Sequence, residues 1–230
     1  MVERPYVLLS CGMSIDGYLD DAAGERLLLS NDADFDRVDA VRADCDAILV
    51  GAGTIRQDDP RLLVRSADRR RQRQARGQRP SPLKVTVTGR GDLDPGSRFF
   101  THGDVDKLVY CATGHLDRAR RRLAAVATVV DCGDPVDLLR VVGDLHERGV
   151  GRLMVEGGGR IHTQFLTAGL VDELHLVVAP IFVGDSRAPR FVGDGRFPWH
   201  ADSRATLAEV RQIGDVALLR YAMSPRFGDR

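Results

Sequence analysis

The chain has 230 residues, of which 43% are hydrophobic, so it is long enough to bury a core as one domain over residues 1–230. Its 33 basic and 33 acidic side chains give a formal net charge of zero, which gives no support to nucleic-acid binding. No apolar run has membrane-spanning length, and the four cysteines contain no Cys-x-x-Cys pair. We therefore expect a cytoplasmic protein, not exported and not in a membrane, that binds small molecules.

Short apolar runs typical of buried strands recur along the chain. They cover residues 6–9, 47–50, 84–87, 107–111, 127–130, 153–155 and 174–179. Helical spacing of apolar residues occurs between or after them, at residues 32–43, 116–123, 135–148 and 160–168. Continuous apolar strands that alternate with helices favour an α/β fold with a mostly parallel sheet covered on both faces.

Two segments depart from this alternation. Residues 206–213 and 215–223 are β-rich runs around Gly214, which predicts an antiparallel C-terminal hairpin at the edge of the sheet. Residues 65–82 are rich in Arg and Gln, lack an apolar period and end in Pro-Ser-Pro, so they are interpreted as a loop excursion. The basic run within it could hold a phosphate, but a solvated surface is the preferred interpretation.

Residues 153–160, Leu-Met-Val-Glu-Gly-Gly-Gly-Arg, form the most informative motif. An apolar run ends at Glu156, three glycines follow, and a helical pattern then begins. Glycines let the main chain turn sharply and approach a ligand, and the first N–H groups of a helix attract anions. The spacing is neither Gly-x-Gly-x-x-Gly nor that of a nucleoside-triphosphate loop, so a tight turn without a ligand stays an alternative.

A second strand, at residues 47–50, leads into a Gly-Ala-Gly-Thr turn followed by paired carboxylates. Ligands of open α/β sheets bind at the carboxyl ends of strands, so the two glycine turns could face one crevice. Thr54 could donate to a phosphate and Asp58 could accept from a ribose or an amide, whereas Asp59 is interpreted as a turn cap. Asp16, in a Ser-Ile-Asp-Gly turn, is also more typical of a cap than of a catalytic residue.

Four segments together resemble the reductase domain of riboflavin biosynthesis, which has the dihydrofolate reductase-like fold. They are residues 13–17 (Met-Ser-Ile-Asp-Gly), 46–62 (from Asp-Ala-Ile-Leu-Val-Gly to Asp-Asp-Pro-Arg-Leu), 156–159 (Glu-Gly-Gly-Gly) and 168–174 (Ala-Gly-Leu-Val-Asp-Glu-Leu). The resemblance implies a three-layer sandwich, a homodimer, and NADPH-dependent reduction of a ribosylaminopyrimidine 5′-phosphate. In that reaction hydride reaches C1 of the ribose as the ring opens to a ribityl chain.

The resemblance also implies which residues bind each ligand. Contacts to NADPH are expected from Gly12, Leu28, Thr54, Asp58, Gly89, Gly158, Gly159, Arg160, Ile161, His162, Thr163 and Gln164. The phosphorylated pyrimidine is expected among Arg26, Arg42, Leu62, Arg65 and Glu156. Glu156 is the better candidate for polar activation in catalysis and Asp58 the weaker one.

Departures from the family pattern leave the substrate open. Ser10 stands where bacterial members usually have a lysine that reaches the substrate, and Arg26 and Leu28 replace a small hydroxyl residue and an aromatic. A pterin such as dihydrofolate is one alternative acceptor, and a nucleotide-binding protein without turnover is another. The zinc deaminase motifs of bifunctional relatives do not occur in the sequence, and the histidines lack ligand spacing, so no metal is expected.

Overall fold

The computed structural model describes residues 3–23 and 27–228. The strands are β1 (Tyr6–Ser14), β2 (Ala47–Gly51), β3 (Leu83–Thr88), β4 (Lys107–Cys111), β5 (Thr128–Asp131), β6 (Arg152–Gly157), β7 (Glu173–Ala179), β8 (Thr206–Ile213) and β9 (Val216–Ala222). The α-helices are α1 (Asp32–Ala43), α2 (Ala52–Asp58), α3 (Ala67–Ala75), α4 (Arg98–Thr101), α5 (Leu116–Leu123), α6 (Leu138–Glu147) and α7 (Gly159–Thr167).

The chain divides into two compact units, and the first comprises Asp39–Met154 with the described residues before Tyr6. Its strands follow the order β5-β4-β3-β2-β6, to which β6 contributes residues 152–154. The pairs β2–β3, β3–β4 and β4–β5 are parallel, with Val50 beside Thr86. Every residue of β2 is buried, whichever face its side chain points to. This sheet is therefore covered on both faces, as the apolar runs predict.

The second unit comprises the described residues of Tyr6–Val38 and Val155–Arg230. Its strands follow the order β6-β1-β7-β9-β8. β1 and β7 are parallel, and their last residues, Ser14 and Ala179, lie side by side. β7 with β9 and β9 with β8 are antiparallel, and the turn between β8 and β9 contains Gly214 at φ 62°. The mostly parallel sheet and the antiparallel C-terminal hairpin are both confirmed.

A buried polar network crosses β1, β7 and β9 of the second unit. Glu173 accepts from the Tyr6 hydroxyl at 2.8 Å, from Nε2 of His175 at 2.7 Å and from Arg220 Nη2 at 2.5 Å. Arg37 of α1 lies 3.2 Å from Nδ1 of the same histidine. Burial opposes the charge of Glu173, but these donors outweigh it and hold its pKa below the usual range. Burial also lowers the pKa of His175, which favours the neutral ring.

The excursion at residues 65–82, predicted as a loop, contains helix α3. Its arginines include Arg73, which is 2% exposed although no apolar period marks the segment. The Arg73 guanidinium donates to the carbonyls of Ala43 and Cys45, both at 2.8 Å, and to that of Arg79 at 2.9 Å. The prediction was wrong here because a cation that binds main-chain carbonyls anchors this helix, rather than an apolar face.

Several other boundaries differ from those predicted. β1 extends to Ser14 instead of ending at residue 9, because it pairs with β7 along its whole second half. The segment after β2, predicted as a turn, is the short helix α2. The four-residue helix α4 was not predicted from the sequence. No helix among the described residues is long and apolar enough to cross a membrane.

Candidate functional site

The turn after β1 is held by the carboxylate of Asp16. This carboxylate accepts from the Ser14 hydroxyl at 2.5 Å, from the N–H of Val183 at 3.1 Å and from that of Gly184 at 2.8 Å. These bonds lower the pKa of Asp16, with the Ser14 hydroxyl contributing most. Asp16 therefore ties the end of β1 to the segment that follows β7, which agrees with its interpretation as a cap.

The triple glycine forms the entry to α7. Gly157 has φ 128°, the peptide between Gly157 and Gly158 is cis, and Gly158 is the N-terminal cap in an extended conformation. Within the described part of the chain, no group accepts from the N–H of Gly159 or of Arg160. Both glycines that precede Arg160 are half-buried, so a ligand can approach their backbone. Free N–H groups at the positive end of a helix dipole favour a negatively charged ligand.

Residues 189–193, which we call the strap, run beside the start of α7. A Cβ at Gly159 would lie 2.2 Å from the carbonyl oxygen of Arg190, far inside contact distance. The N–H of Gly193 donates to the Thr163 hydroxyl at 2.8 Å. Only glycine fits at position 159, because the main chain of the strap occupies the place of a side chain.

The strap also contacts the turn after β1. The N–H of Phe191 donates to the carbonyl of Gly17 at 2.9 Å, and the N–H of Leu19 donates to that of Pro189 at 2.8 Å. The Arg190 guanidinium donates to the Tyr18 hydroxyl at 2.9 Å and lies 4.8 Å from the centre of that ring. The strap thus joins two glycine motifs that are far apart in the sequence.

The side chains of Ile161 and His162 point into the core of the second unit. Nδ1 of His162 lies 3.2 Å from the Phe191 carbonyl, and Nε2 has no hydrogen-bond partner among the described residues. Burial lowers the pKa of His162 to about 4, so the ring is neutral at pH 7. Because neither side chain reaches the surface, a contact between these residues and a cofactor would have to use the backbone.

The remaining predicted residues of the second unit lie in different environments. Gly12 is in β1, where a Cβ would contact the Leu29 carbonyl at 3.4 Å. Leu28 is 68% exposed, and Glu156 is half-buried near the end of β6. Thr163 is half-buried and Gln164 is exposed. Arg26 lies outside the described residues.

In the first unit, Thr54 and Asp58 belong to α2, and both are half-buried. Leu62 is 3% exposed and has a left-handed backbone with φ 45°, as has Asp59 with φ 42°. Gly89 is exposed directly after β3, with open space where a Cβ would be. Thr54 and Asp58 therefore follow β2 and Gly89 follows β3, at the carboxyl ends of two parallel neighbours.

Asp39 organises the predicted phosphate-binding arginines. Its carboxylate accepts from the N–H of Arg65 at 2.5 Å, from the N–H of Ser66 at 3.0 Å and from Nη1 of Arg69 at 3.0 Å. The side chain of Arg65 is 55% exposed, and Arg42 donates to the Leu63 carbonyl at 3.3 Å. An exposed guanidinium beside a backbone fixed in this way is suited to an anionic group.

Sequence reasoning missed three contributors, of which Asp39 and Arg98 belong to the first unit and the strap belongs to the second. Asp39 looks like an ordinary residue on a helix, the strap has no motif, and Arg98 is one arginine among many. Arg98 donates its N–H to Asp59 Oδ1 at 2.6 Å and its Nε to Oδ2 at 3.1 Å. Each contributor acts across a long sequence separation, so no local pattern could have revealed it.

Comparison with known proteins gives the chain a family. The family model described as the RibD C-terminal domain matches residues 5–219. A relative from Archaeoglobus fulgidus, named 2,5-diamino-6-ribosylamino-4(3H)-pyrimidinone 5′-phosphate reductase, is 34% identical over 97% of this chain and 99% of its own length. A relative of the same name from Methanothermobacter thermautotrophicus is 32% identical over 96% of this chain and 99% of its own.

A solved structure shares the fold. The pyrimidine reductase-like protein from Corynebacterium diphtheriae superposes with a TM-score of 0.78 at 24% identity, covering 95% of this chain and 91% of the other. The expected dihydrofolate reductase-like α/β fold is confirmed by this match and by the observed strand order. With the family model covering nearly its whole length, the chain belongs to the RibD C-terminal domain family of riboflavin-biosynthesis pyrimidine reductases.

Proposed function

We propose that this protein reduces 2,5-diamino-6-ribosylamino-4(3H)-pyrimidinone 5′-phosphate to its ribitylamino form, with NADPH as the reductant. The substrate is proposed from the names of the two archaeal relatives, each of which aligns over 99% of its own length. The observation that carries the proposal is the pair of free N–H groups at Gly159 and Arg160, next to the half-buried carboxylate of Glu156. This pair suits the pyrophosphate of a dinucleotide.

The start of α7 fits NADPH on structural grounds. Gly158 has no side chain that would keep a pyrophosphate from the N–H groups that follow it, and the nine-residue helix places its positive end there. The other residues proposed to hold the cofactor are Gly12, Leu28, Thr54, Asp58, Gly89, Arg160, Ile161, His162, Thr163 and Gln164. When bound, NADPH supplies the hydride.

Hydride addition to the opened sugar forms a new C–H bond at C1, and the electron pair of the C1–N double bond moves to nitrogen, which takes a proton. Glu156 is proposed to accept a hydrogen bond from a ribose hydroxyl or the ring amine, which would hold the sugar in one orientation. Asp58 is the weaker candidate for this role. Alignment of the reacting carbon, rather than new covalent chemistry by the protein, is the main task of these side chains.

The 5′-phosphate is assigned to Arg42 and Arg65. A guanidinium presents a planar fork of donors that binds two phosphate oxygens at once. Asp39 holds Arg65 by accepting its backbone N–H at 2.5 Å, and the Arg65 guanidinium, on a side chain that is 55% exposed, lies 3.8 Å from the same carboxylate. Leu62 and Arg26 complete the proposed surroundings of the substrate.

We also propose that the protein is a homodimer in the cytoplasm. The dimer is proposed from the family resemblance, and the compartment agrees with four cysteines that form no disulfide. Light scattering at micromolar concentration would show twice the mass of 25.2 kDa. A monomer would contradict the assembly but leave the proposed reaction untouched.

The reaction is tested by following the absorbance of the reduced nicotinamide. The protein is mixed with NADPH and either the diaminopyrimidinone ribosyl phosphate, its deaminated uracil counterpart, or dihydrofolate. We expect oxidation with the first compound at a kcat/KM at least tenfold above that for the other two. Turnover of dihydrofolate alone would favour a pterin reductase, and no NADPH binding by calorimetry would contradict both enzymes.

A further inference from the structure

Lys84 is a buried cation in the middle of β3 that the proposed reaction does not use. It is 0% exposed, and its neighbours in register are Ile48 on β2 and Lys107 on β4. No carboxylate in the described part of the chain pairs with its ammonium group. Burial, with a smaller effect of Lys107, lowers its pKa to about 8. A buried charge without an ion-pair partner is unfavourable unless other polar groups bind it, so the groups that accept from the Lys84 ammonium group indicate its role.

The ammonium group of Lys84 binds the C-terminal end of α4. It donates to the carbonyl of Phe99 at 2.8 Å and to that of His102 at 2.6 Å, and it lies 5.6 Å from the centre of the Phe99 ring. A positive charge at the C-terminus of a helix is favourable because the free carbonyls and the dipole are negative there. A helix of four residues cannot form without such outside support.

The N-terminal end of α4 is bound to the turn that follows α2. The Arg98 main chain and side chain both donate to the Asp59 carboxylate, and Nε of Arg98 also donates to the Asp59 carbonyl at 2.9 Å. Beyond the other end of α4, a Cβ at Gly103 would lie 2.5 Å from Leu63 Cδ2, so the two segments are in close contact. The turn of residues 59–63 is therefore hydrogen-bonded to α4 at its start, and its end packs against Gly103, two residues beyond α4.

This turn is strained and depends on its surroundings. Asp59 and Leu62 both have left-handed backbone conformations, which cost about 1–3 kcal/mol each when a side chain is present. The turn directly follows Asp58, which the proposed function places at the cofactor. It includes Leu62, which the proposed function places at the substrate. Contacts that hold α4 in place therefore also hold Asp58 and Leu62 in their observed geometry.

We propose that Lys84 is a positioning residue that acts through α4 and the Arg98–Asp59 ion pair to hold Asp58 and Leu62 in their ligand-binding geometry. The role of the turn in ligand binding rests on the proposed function, whereas the mechanical link from Lys84 to Asp59 does not. The link predicts that loss of the ammonium group loosens a turn on the far side of α4, not only the residues that Lys84 touches.

The test compares Lys84→Met with Lys84→Arg and with Lys107→Met as a matched control. Lys107 is the neighbouring lysine in register, and among the described residues its ammonium group makes one hydrogen bond, a long one of 3.5 Å to the Gly103 carbonyl. We expect Lys84→Met to raise the Kd for NADPH and the KM for the pyrimidine phosphate about tenfold, equivalent to about 1.4 kcal/mol, with kcat within twofold of wild type. Lys84→Arg should restore part of the affinity, and Lys107→Met should resemble wild type.

Amide hydrogen exchange provides a readout that does not need activity. The N–H of Asp59 donates to Ile55, and that of Arg98 donates to Asp59. Both should exchange faster in Lys84→Met. If that variant fails to fold, Arg98→Gln removes the side-chain part of the same link, which lies at a partly exposed position, and should also speed exchange at Asp59.

The outcomes separate the inference from the proposed function. Unchanged exchange at Asp59 in a folded Lys84→Met or Arg98→Gln variant would overturn the role of Lys84. Faster exchange together with unchanged Kd and KM would show that the link exists but that the turn does not serve binding, which also overturns the proposal. A wild-type protein that never oxidises NADPH would contradict the proposed function alone, and the exchange data would still decide the link.

Discussion

Replacement of Gly159 by Ala should destabilise the protein, because the new methyl group would meet the strap. The ideal Cβ lies 2.2 Å from the Arg190 carbonyl oxygen, and ordinary van der Waals contact begins at 3.4 Å, so the two atoms must separate by about 1.2 Å. The strap cannot move freely, since Phe191 donates to Gly17 and Arg190 to Tyr18. Such overpacking costs about 1–3 kcal/mol in the free energy of unfolding.

The expected loss of about 2 kcal/mol lowers Tm by about 4–8 °C for a chain of this size. Gly53→Ala is the matched control, since Gly53 lies in α2 with nothing within 4 Å of an added Cβ. There the same substitution should raise stability by about 0.5–1 kcal/mol, because alanine restricts the unfolded chain and favours helix. The two changes are chemically identical and should have opposite signs.

Circular dichroism melts of the two variants and the wild type decide this prediction, with urea unfolding as a check on the free energy. Under the proposed function, Gly159→Ala should also weaken NADPH binding in calorimetry. A Tm for Gly159→Ala within 1 °C of wild type would refute the reasoning, since it would mean that the strap yields at no cost.

Further predictions concern charge. Arg42→Ala and Arg65→Ala should each raise the KM for the phosphorylated substrate about tenfold or more while leaving the NADPH Kd near normal. An equal loss of NADPH affinity would show that these arginines do not bind the substrate phosphate specifically. Glu156→Gln weakens the hydrogen bond that orients the sugar, so it should lower kcat about 10²-fold in steady-state assays with little change in NADPH binding, and an unchanged kcat would show that Glu156 has no part in the reaction. The folded-state pKa values of Glu173 and His175 are both lowered. As the pH falls, the unfolded chain therefore binds a proton before the folded protein does, at His175 below about pH 6.5 and at Glu173 below about pH 4.5. Urea unfolding should therefore show stability falling toward acid, with a weaker fall in Glu173→Gln, and a flat profile from pH 7 to 4 would contradict the network.

The regular part of the fold is predictable from the sequence because it depends on local pattern. Buried parallel strands are continuous apolar runs, and the hairpin at Gly214 has its glycine where the turn needs a positive φ. The helix α3 was not predictable, since Arg73 anchors it by binding carbonyls of a distant segment. Short helices such as α4 have the same difficulty, because their caps come from elsewhere in the chain.

The candidate site is predictable only in part. The triple glycine signals a close backbone approach, but for Gly159 the approaching group in the structure is the Arg190 carbonyl of the strap. The glycine next to it, Gly158, keeps an accessible backbone, so the anion-binding interpretation of this motif stays a prediction for the N–H groups of Gly159 and Arg160. Asp39 and Lys84 could not be identified in advance, because their partners become neighbours only on folding.

The destination of the hydride tests the central claim most directly. NADPH deuterated at both C4 positions is incubated with the protein and the diaminopyrimidinone ribosyl phosphate, and the product is analysed by mass spectrometry and NMR. We expect one deuterium per NADPH oxidised, located at C1 of a new ribityl chain. Deuterium in the pyrimidine ring, or oxidation of NADPH without label in the product, would contradict the proposed reaction.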